Sequence, residues 1–280
     1  MKNIALLTCK EIDKNACNDD ELIISPLASK GINATFEIWN DHSVDWRKYD
    51  ACIIRSTWDY TEHIKDFLSF LNDRQKHLSL FNSFEIINRN FDKSYLFELE
   101  KNGFEIVPSL LLPRNEKSLI QAQEIFQTTK IISKPTVGAG ASGLVFHKDS
   151  KEVVEDGGQF IYQPFLETIQ EDGEISLIFF NGEFSHAILK IPKKGDFRSQ
   201  EEFGSKITEF SPCDETLKYS KNALESFAKD TLLSRVDLLK NDQGQWRRIG
   251  EIELIEPALY LSFSRNAENR FIDAIISRLS

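Results

Sequence analysis

The segment SRVDLLKNDQGQWRRIGEIELIEP places acidic side chains on two strand-like runs that flank a polar turn. In an antiparallel hairpin centred on Gly244, Asp237 faces Glu251. The same register pairs Arg235 with Glu253, and residues two apart along a strand share a face, so the four side chains form one cluster. Like charges placed opposite each other in a sheet are destabilising, so the three carboxylates need a compensating positive charge.

The acidic hairpin supports two interpretations. Mg²⁺ prefers oxygen ligands and is commonly bound by one or two carboxylates together with substrate phosphates. The alternative is a solvated strand face that Arg235 and Arg247 partly neutralise. The register is an assumption, because a slip of one residue would move one strand's acids to the other face. The alternating residues predicted to face the core are Val236, Leu238, Ile252 and Leu254.

The stretch SKPTVGAGASGLVF is the second candidate, with Gly138, Gly140 and Gly143 at G-x-G-x-x-G spacing. A dinucleotide site requires a helix after the glycines, whereas the strand-like GLVFH follows here. We therefore predict a strand–loop–strand flap whose backbone N–H groups close over phosphates, with an ordinary hairpin turn as the alternative. Lys134 favours the flap, because a lysine that ends an apolar strand needs an anionic partner if it is buried.

Other stretches carry weaker signals. Lys93 lies in the first turn of a predicted helix, where an amine opposes the helix dipole, and exposure to solvent is the simpler interpretation. QFIYQPFLE followed by DGEIS has the composition of an adenine site, although many strands share it. Arg55 ends a predicted parallel strand, where open α/β sheets bind ligands, and its guanidinium suits a carboxylate. The alternative for Arg55 is a surface arginine near Asp59.

The elements that position these groups change character along the chain. NIALLT, ATFEIW and DACIIRS are predicted strands that alternate with the predicted helices DDELIISPLASKG and EHIKDFLSFLNDRQ, which indicates a small parallel sheet. DKSYLFELEKNG is a further predicted helix. From Val107 onward strand patterns predominate, and Asn-Gly in FFNGEF predicts a hairpin, so antiparallel sheets are expected. PKKGDFRSQEEFGSK is predicted to be a mobile loop over a site, and NAENRFIDAIISRL a terminal amphipathic helix.

Composition excludes several classes of protein. The 280 residues are 41% hydrophobic with a net charge of −10, which argues against nucleic acid or an anionic membrane as the main partner. The four cysteines have no C-x-x-C spacing and the five histidines no metal-ligand spacing. With no signal-peptide or membrane-span pattern, we expect a soluble cytoplasmic protein with reduced thiols.

In their order and spacing, the motifs from about Asn88 to Tyr260 resemble the ATP-grasp superfamily, nearest to the glutathione synthetase and D-alanine–D-alanine ligase branches. RSTWDY and FFNGEFSHAILK are also similar to the ATP-grasp cyclo-ligases of cycloserine biosynthesis. The resemblance implies an α+β protein with the ATP-grasp fold. It would comprise an α/β substrate domain (1–87), a subdomain with the glycine-rich flap (88–160) and a C-terminal subdomain with the adenine hinge and metal site (161–280).

The resemblance also assigns nucleotide contacts. Lys93 and Lys134 would bind ATP phosphates, and the glycine-rich loop would be the closing flap. The stretch from Gln163 to Leu166 would be the adenine hinge, and Glu174 would bind the ribose. These cofactor-binding residues are Lys93, Lys134, Gly138, Gly140, Ser142, Gly143, Gln163, Phe165, Leu166 and Glu174.

The remaining roles concern metal and catalysis. Asp237, Glu251 and Glu253 would hold Mg²⁺ or Mn²⁺ bridging the nucleotide phosphates, and Arg235 would stabilise a tetrahedral oxyanion. Glu253 departs from the family, which usually has Asn there. Ile175 and Ser176 stand where glutathione synthetases carry basic residues. Arg198 in the predicted loop could replace those residues, and Arg55 would bind a substrate carboxylate. The departures argue against glutathione synthesis itself.

The resulting hypothesis is an ATP-dependent ligase that joins a small-molecule or peptide carboxylate to an amine or another nitrogen nucleophile. The reaction would proceed through an acyl phosphate and release ADP and phosphate. An intramolecular cyclo-ligase and a non-catalytic ATP-binding regulatory protein are the alternatives. Neither organic substrate is identified by the sequence, and the resemblance allows a homodimer because related ligases are often dimers.

Overall fold

The computed structural model describes residues 2–10, 19–148, 157–199 and 201–280. The first sheet has four parallel strands in the order β2-β1-β3-β4, which confirms the predicted parallel sheet. Its strands are β1 (Lys2–Thr8), β2 (Ile32–Ile38), β3 (Ala51–Ser56) and β4 (Ser79–Phe81). Its helices are α1 (Glu21–Ser29), α2 (Ile64–Arg74) and α3 (Phe84–Asn90).

The second sheet is antiparallel, in the order β5-β8-β6-β7. It comprises β5 (Leu110–Pro113), β6 (Ile131–Pro135), β7 (Val145–His147) and β8 (Gln159–Pro164). Helix α4 (Tyr95–Lys101) precedes it, and α5 (Glu116–Phe126) packs against it through Leu119 and Ala122. The glycine-rich loop joins β6 to β7, so the predicted strand–loop–strand order is correct.

The third sheet is also antiparallel, in the order β11-β10-β9-β12-β13. Its strands are β9 (Glu174–Phe180), β10 (Glu183–Ile191), β11 (Lys206–Phe210), β12 (Leu233–Lys240) and β13 (Trp246–Glu253). The accompanying helices are α6 (Thr168–Glu171), α7 (Asp214–Phe227) and α8 (Ala267–Leu279). Asn181 and Gly182 both have positive φ, 50° and 75°, as the predicted Asn-Gly hairpin turn requires.

The third sheet is covered on both faces, which fixes it in the centre of the molecule. One face packs against α4 and α7 through a core that includes Val236 and Leu238. The other face packs against α8 and the first sheet, where Phe180 stacks on Phe271 with ring centroids 4.9 Å apart. Strands β12 and β13 contribute both to these cores and to a cleft, which Arg235, Asp237, Glu251 and Glu253 line.

Helices are more numerous after Val107 than the sequence predicted. Helix α5 was missed although Asn115 caps it, accepting a hydrogen bond from the Ser118 N–H at 2.8 Å. Helix α4 begins at Tyr95, so Lys93 precedes the helix rather than lying in its first turn.

Cys17 and Gln200 lie outside the described residues, and Cys52 and Cys213 are thiols. In the described ranges, no helix has both the length and the apolar character needed to cross a membrane.

Candidate active site

A cleft of about 470 Å³ lies where the three sheets meet, and its walls come from all of them. Of the predicted site residues, all of which are described, only Gly143 does not line the cleft. Gly143 has a φ of +72°, and a Cβ there would lie 3.1 Å from the Pro135 ring, so its contribution is to the backbone path of the loop. The predicted groups are therefore brought together although they are distributed over 199 residues of chain, from Arg55 to Glu253.

The acidic hairpin has the predicted register in its functional part. Asp237 pairs with Glu251 and Arg235 with Glu253. Closer to the turn the register shifts twice, once next to Gly250. The prediction assumed one constant register about Gly244 and did not include these shifts. The four residues expected in the core are buried, with at most 1% of each exposed: Val236, Leu238, Ile252 and Leu254.

Basic side chains of the chain supply compensating positive charge to this cluster. Arg235 donates to Asp237 at 2.9 Å and also to Glu253. Lys93 forms an ion pair with Glu251 at 2.6 Å. Arg247 takes no part and instead pairs with exposed Glu215. The interpretation of the hairpin as a solvated face is wrong, since Asp237 is 4% exposed.

The neutralisation is uneven, which the pKa values reflect. Burial opposes the charged form of each acid, but Lys93 and Lys134 outweigh it at Glu251 and lower its pKa. Arg235 and Lys190 do the same for the pKa of Asp237. At Glu253 burial prevails, and the pKa rises to about 7. The cluster thus holds one carboxyl that titrates near neutral pH.

The two lysines at the glycine-rich loop differ in their partners. Besides its ion pair, Lys93 donates to the carbonyl oxygen of Gly138 at 2.7 Å, so it connects the hairpin to the loop. Its side chain is 15% exposed, and the interpretation of Lys93 as solvent-exposed is wrong. Lys134 makes no ion pair with a described residue, and burial lowers its pKa. A cation in this position is suited to binding an anion supplied by a ligand.

Three aromatic rings, here called the aromatic pocket, lie together at the cleft, and two of them, Phe165 and Phe197, line it. Rings from three elements meet there: Phe146 on β7, Phe165 after β8, and Phe197 in the loop after β10. The centroid of Phe146 lies 4.7 Å from that of Phe165 and 5.4 Å from that of Phe197. The Gln163 amide donates to Ser109 at 2.9 Å. Flat apolar walls next to a strand end are suited to a planar heterocycle.

Lys190 is a cleft residue that the sequence analysis missed. Its ammonium pairs with Glu174 and lies 3.9 Å from Asp237, with 3% of the side chain exposed. Burial opposes its charge, but Asp237 and Glu174 outweigh burial and raise its pKa. Ser199 donates to Glu174 at 3.2 Å. The signal in AILKI, a lysine within an apolar strand, is the same one that identified Lys134.

The two remaining arginines are both held by acids. Arg55 is 4% exposed, and its Nε donates to Asp20 at 2.6 Å. The alternative of a surface arginine near Asp59 is wrong, because Asp59 accepts a hydrogen bond from Trp39 instead. Arg198 donates to Asp196 at 2.7 Å, and its guanidinium lies 3.6 Å from the Phe203 ring centroid.

The hairpin carboxylates lack the protein ligands that a metal site formed by the chain alone would need. Within the described residues, no group of three or more His, Cys, Asp and Glu side chains is arranged to hold a metal ion by itself. The oxygen donors of Asp237, Glu251 and Glu253 nevertheless have the chemistry that a hard dication prefers. They fit a metal that takes its other oxygen ligands from a bound phosphate and not from the protein.

Comparison with known proteins identifies relatives over nearly the whole chain. Residues 4–82 match the family model "D-cycloserine synthetase DcsG, N-terminal domain". The cycloserine biosynthesis protein DcsG of Streptomyces lavendulae is 26% identical over 274 residues, covering 89% of this chain and 90% of that protein.

Solved structures give the same result for the fold. The crystal structure of D-cycloserine synthetase DcsG matches with a TM-score of 0.87 at 24% identity, covering 99% of this chain and all of that one. The ATP-grasp ligase PsnB complexed with a precursor variant, Mg and ADP matches at 0.68 and 13% identity, covering 99% and 98%. D-alanine–D-alanine ligase from Bacillus anthracis complexed with ATP matches at 0.65 and 13%, covering 99% and 97%. These similarities confirm the predicted fold.

Proposed function

We propose that this chain, which belongs to the ATP-grasp superfamily, is an ATP-dependent ligase that joins a carboxylate to a nitrogen nucleophile. The observation that carries the proposal is the convergence of Lys93, Lys134, the glycine-rich loop and the acidic hairpin on one cleft. Phosphate-binding cations, a flexible backbone and metal-binding carboxylates are the groups that phosphoryl transfer requires.

The nucleotide would lie along the cleft from the aromatic pocket to the hairpin. Phe165 and Leu166 would contact the adenine, and Glu174 would accept hydrogen bonds from the ribose. Lys134, whose charge burial opposes, would gain the most from a phosphate, since an anion restores the interaction energy that burial removes. The loop from Gly138 to Gly143 would close over the phosphates with its N–H groups.

Asp237, Glu251 and Glu253 would hold Mg²⁺, or Mn²⁺ in its place, which would supply positive charge next to the nucleotide phosphates. Lys93 and Arg235 form ion pairs with two of these acids, Glu251 and Asp237. In the nucleotide complex the same two cations would act on ligand groups, Lys93 on a phosphate and Arg235 on the oxyanion.

In the proposed reaction the substrate carboxylate attacks the γ-phosphorus of ATP and ADP leaves, giving an acyl phosphate. The nitrogen nucleophile then attacks the acyl carbon, and phosphate leaves as the tetrahedral centre collapses. Most of the rate enhancement would come from positioning and from stabilising charge on the transferred group. Arg55 and Arg198 would hold the substrate in place.

A second candidate is an intramolecular cyclo-ligase, favoured by the similarity to DcsG across both chains. Such an enzyme would take one substrate that carries both the carboxylate and the nitrogen, and its product would lack one water relative to that substrate. Mass spectrometry of the product separates the two candidates.

The test is ADP release by the purified chain with ATP, Mg²⁺ and a panel of amino acids, amino-acid derivatives and small peptides, supplied singly and in pairs. Ligation predicts ADP release that depends on a panel member and a product of matching mass. ATP binding without ADP release across the panel would instead support the non-catalytic alternative.

A further inference from the structure

Glu256 lies in the loop that follows the acidic hairpin and lines the cleft. With the described residues its carboxylate forms neither a hydrogen bond nor an ion pair, and it interacts with Glu253, Arg55, Arg235 and Lys93 only through their charges. Five other acids of the cleft have basic partners. These pairs are Glu251 with Lys93, Asp237 and Glu253 with Arg235, Glu174 with Lys190, and Asp20 with Arg55.

The loop that carries Glu256 lies next to Arg55, the residue proposed to hold the substrate. The next residue, Pro257, accepts a hydrogen bond from Arg55 at 3.1 Å, which attaches this loop to the carboxyl end of β3. Tyr60, from the segment after β3, is 5% exposed and feels the charge of Glu256 more than that of any other acid. The aromatic pocket assigned to adenine is built from other segments: β7, the segment after β8 and the loop after β10.

The surroundings make an unpartnered carboxylate costly. Burial raises the pKa of Glu256 well above its ordinary value, and the charge of Glu253 raises it further. Arg55, Arg235 and Lys93 act on it in the opposite direction, but each already donates to another group. A cation supplied by a ligand would therefore complete the charge balance of this part of the cleft.

We propose that Glu256 is a specificity residue that accepts the ammonium group of an amino-acid-like substrate. Trp58, Tyr60 and Tyr260 also line the cleft, and aromatic walls favour a bound ammonium group. The inference rests on the proposed function for placing a substrate in the cleft. It goes further by naming the chemical class of that substrate, a small molecule with a primary ammonium group.

Binding measurements test the inference without turnover. The probes are both enantiomers of alanine and serine, their 2-hydroxy-acid counterparts lactate and glycerate, and D-cycloserine, each titrated calorimetrically into the chain with ADP and Mg²⁺. An ammonium-bearing probe is expected to bind the wild type about tenfold or more tighter than a counterpart without nitrogen, because a charged hydrogen bond is lost.

Variants then assign the preference to one side chain. Glu256→Gln removes the charge at nearly constant shape and should abolish the preference, whereas Glu256→Asp should retain it in part. Glu225→Gln on the exposed face of α7 is the matched control and should behave as the wild type. Unfolding curves for every variant show whether a loss of binding reflects a loss of fold.

Three results would overturn the inference: equal binding of amino and hydroxy acids, a preference that survives Glu256→Gln in a folded variant, or no binding of any ammonium-bearing probe. None of them depends on ADP release. An ammonium preference without ADP release would leave the inference standing and the ligase proposal refuted.

Discussion

Glu251 lies between a like charge and an opposite charge in the cleft. It faces Asp237 across the hairpin and pairs with Lys93 at 2.6 Å, so it experiences repulsion and attraction at once. Its side chain is 24% exposed toward the cleft. The sequence could predict this opposition because pairing depends only on the hairpin register. It could not predict Lys93 as the partner, since that lysine is 158 positions away in the chain.

Replacing Glu251 separates function from stability. Glu251→Gln is expected to lower Mg²⁺-dependent ADP release by more than about 100-fold, because a proposed metal ligand is lost. The free energy of unfolding should change by less than about 1 kcal/mol, since a partly exposed ion pair and a repulsion disappear together. Urea unfolding and a coupled ADP assay measure both. Glu215→Gln, at an exposed ion pair, is the control, and full activity in Glu251→Gln would remove this residue from the metal role.

His186 provides a test of electrostatics away from the cleft. Its side chain is 4% exposed, one ring nitrogen lies 2.8 Å from the carbonyl oxygen of Leu259, and burial lowers its pKa to about 4. Between pH 6.5 and 4 this imidazole is therefore protonated in the unfolded chain but neutral in the folded chain. The free energy of unfolding consequently falls as the pH falls.

From this residue alone we expect the free energy of unfolding to be about 2 kcal/mol lower at pH 5 than at pH 7.5. His186→Gln should lose that part of the pH dependence, as measured by urea unfolding at both pH values. His77→Gln, at an exposed histidine, should keep it. The same pH dependence in His186→Gln as in the wild type would show that the histidine is not held neutral.

At the scale of elements, the turns decide where the functional side chains stand. Gly173 precedes β9 with a φ of +81°, and a Cβ there would lie 2.4 Å from the Lys190 carbonyl oxygen on β10. This close approach sets Glu174 opposite Lys190. The sequence indicates a turn at DG but not the contact, because the contact depends on how β10 packs back on β9.

Gly173→Ala should therefore destabilise the fold by about 3 kcal/mol, from the left-handed backbone and the steric clash together. Gly182→Ala is the matched control, with a φ of +75° and nothing within 4 Å of the added Cβ. That variant should lose only about 1 kcal/mol, from the backbone term. Thermal and urea unfolding measure both losses, and equal losses in the two variants would refute the steric argument at Gly173.

The sequence predicted those features that depend on the local pattern of residues, and it missed others, such as Lys190, whose role depends on tertiary contacts. The acidic hairpin and the Asn-Gly turn follow from alternation and turn chemistry over about twenty residues. Helices α5 and α7 were missed because the stretch after Val107 is dominated by strand patterns. Lys190 was missed because its partners, Glu174 and Asp237, come from two neighbouring strands.

At the scale of the whole molecule, the site exists only because three sheets meet. The side chain of Asn82, after β4, donates to the carbonyl oxygens of Leu233 and Leu254, which attaches the first sheet to both strands of the hairpin. Arg55 attaches the same sheet to the loop at Pro257. No pattern within a single element predicts such bonds. The order of the motifs, however, resembles that of a known family. That resemblance, and not periodicity, predicted that the lysines and carboxylates would converge.

Binding of ATP measured by calorimetry with and without Mg²⁺ tests the central claim most directly. The wild type should bind one ATP, with higher affinity when Mg²⁺ is present. Lys134→Met should weaken binding by about tenfold or more, because a partly buried charged contact with phosphate is lost. Lys65→Met, an exposed lysine on α2, should not change it. Absence of ATP binding in the folded wild type, or equal affinity in Lys134→Met, would contradict the assignment of this cleft to a nucleotide.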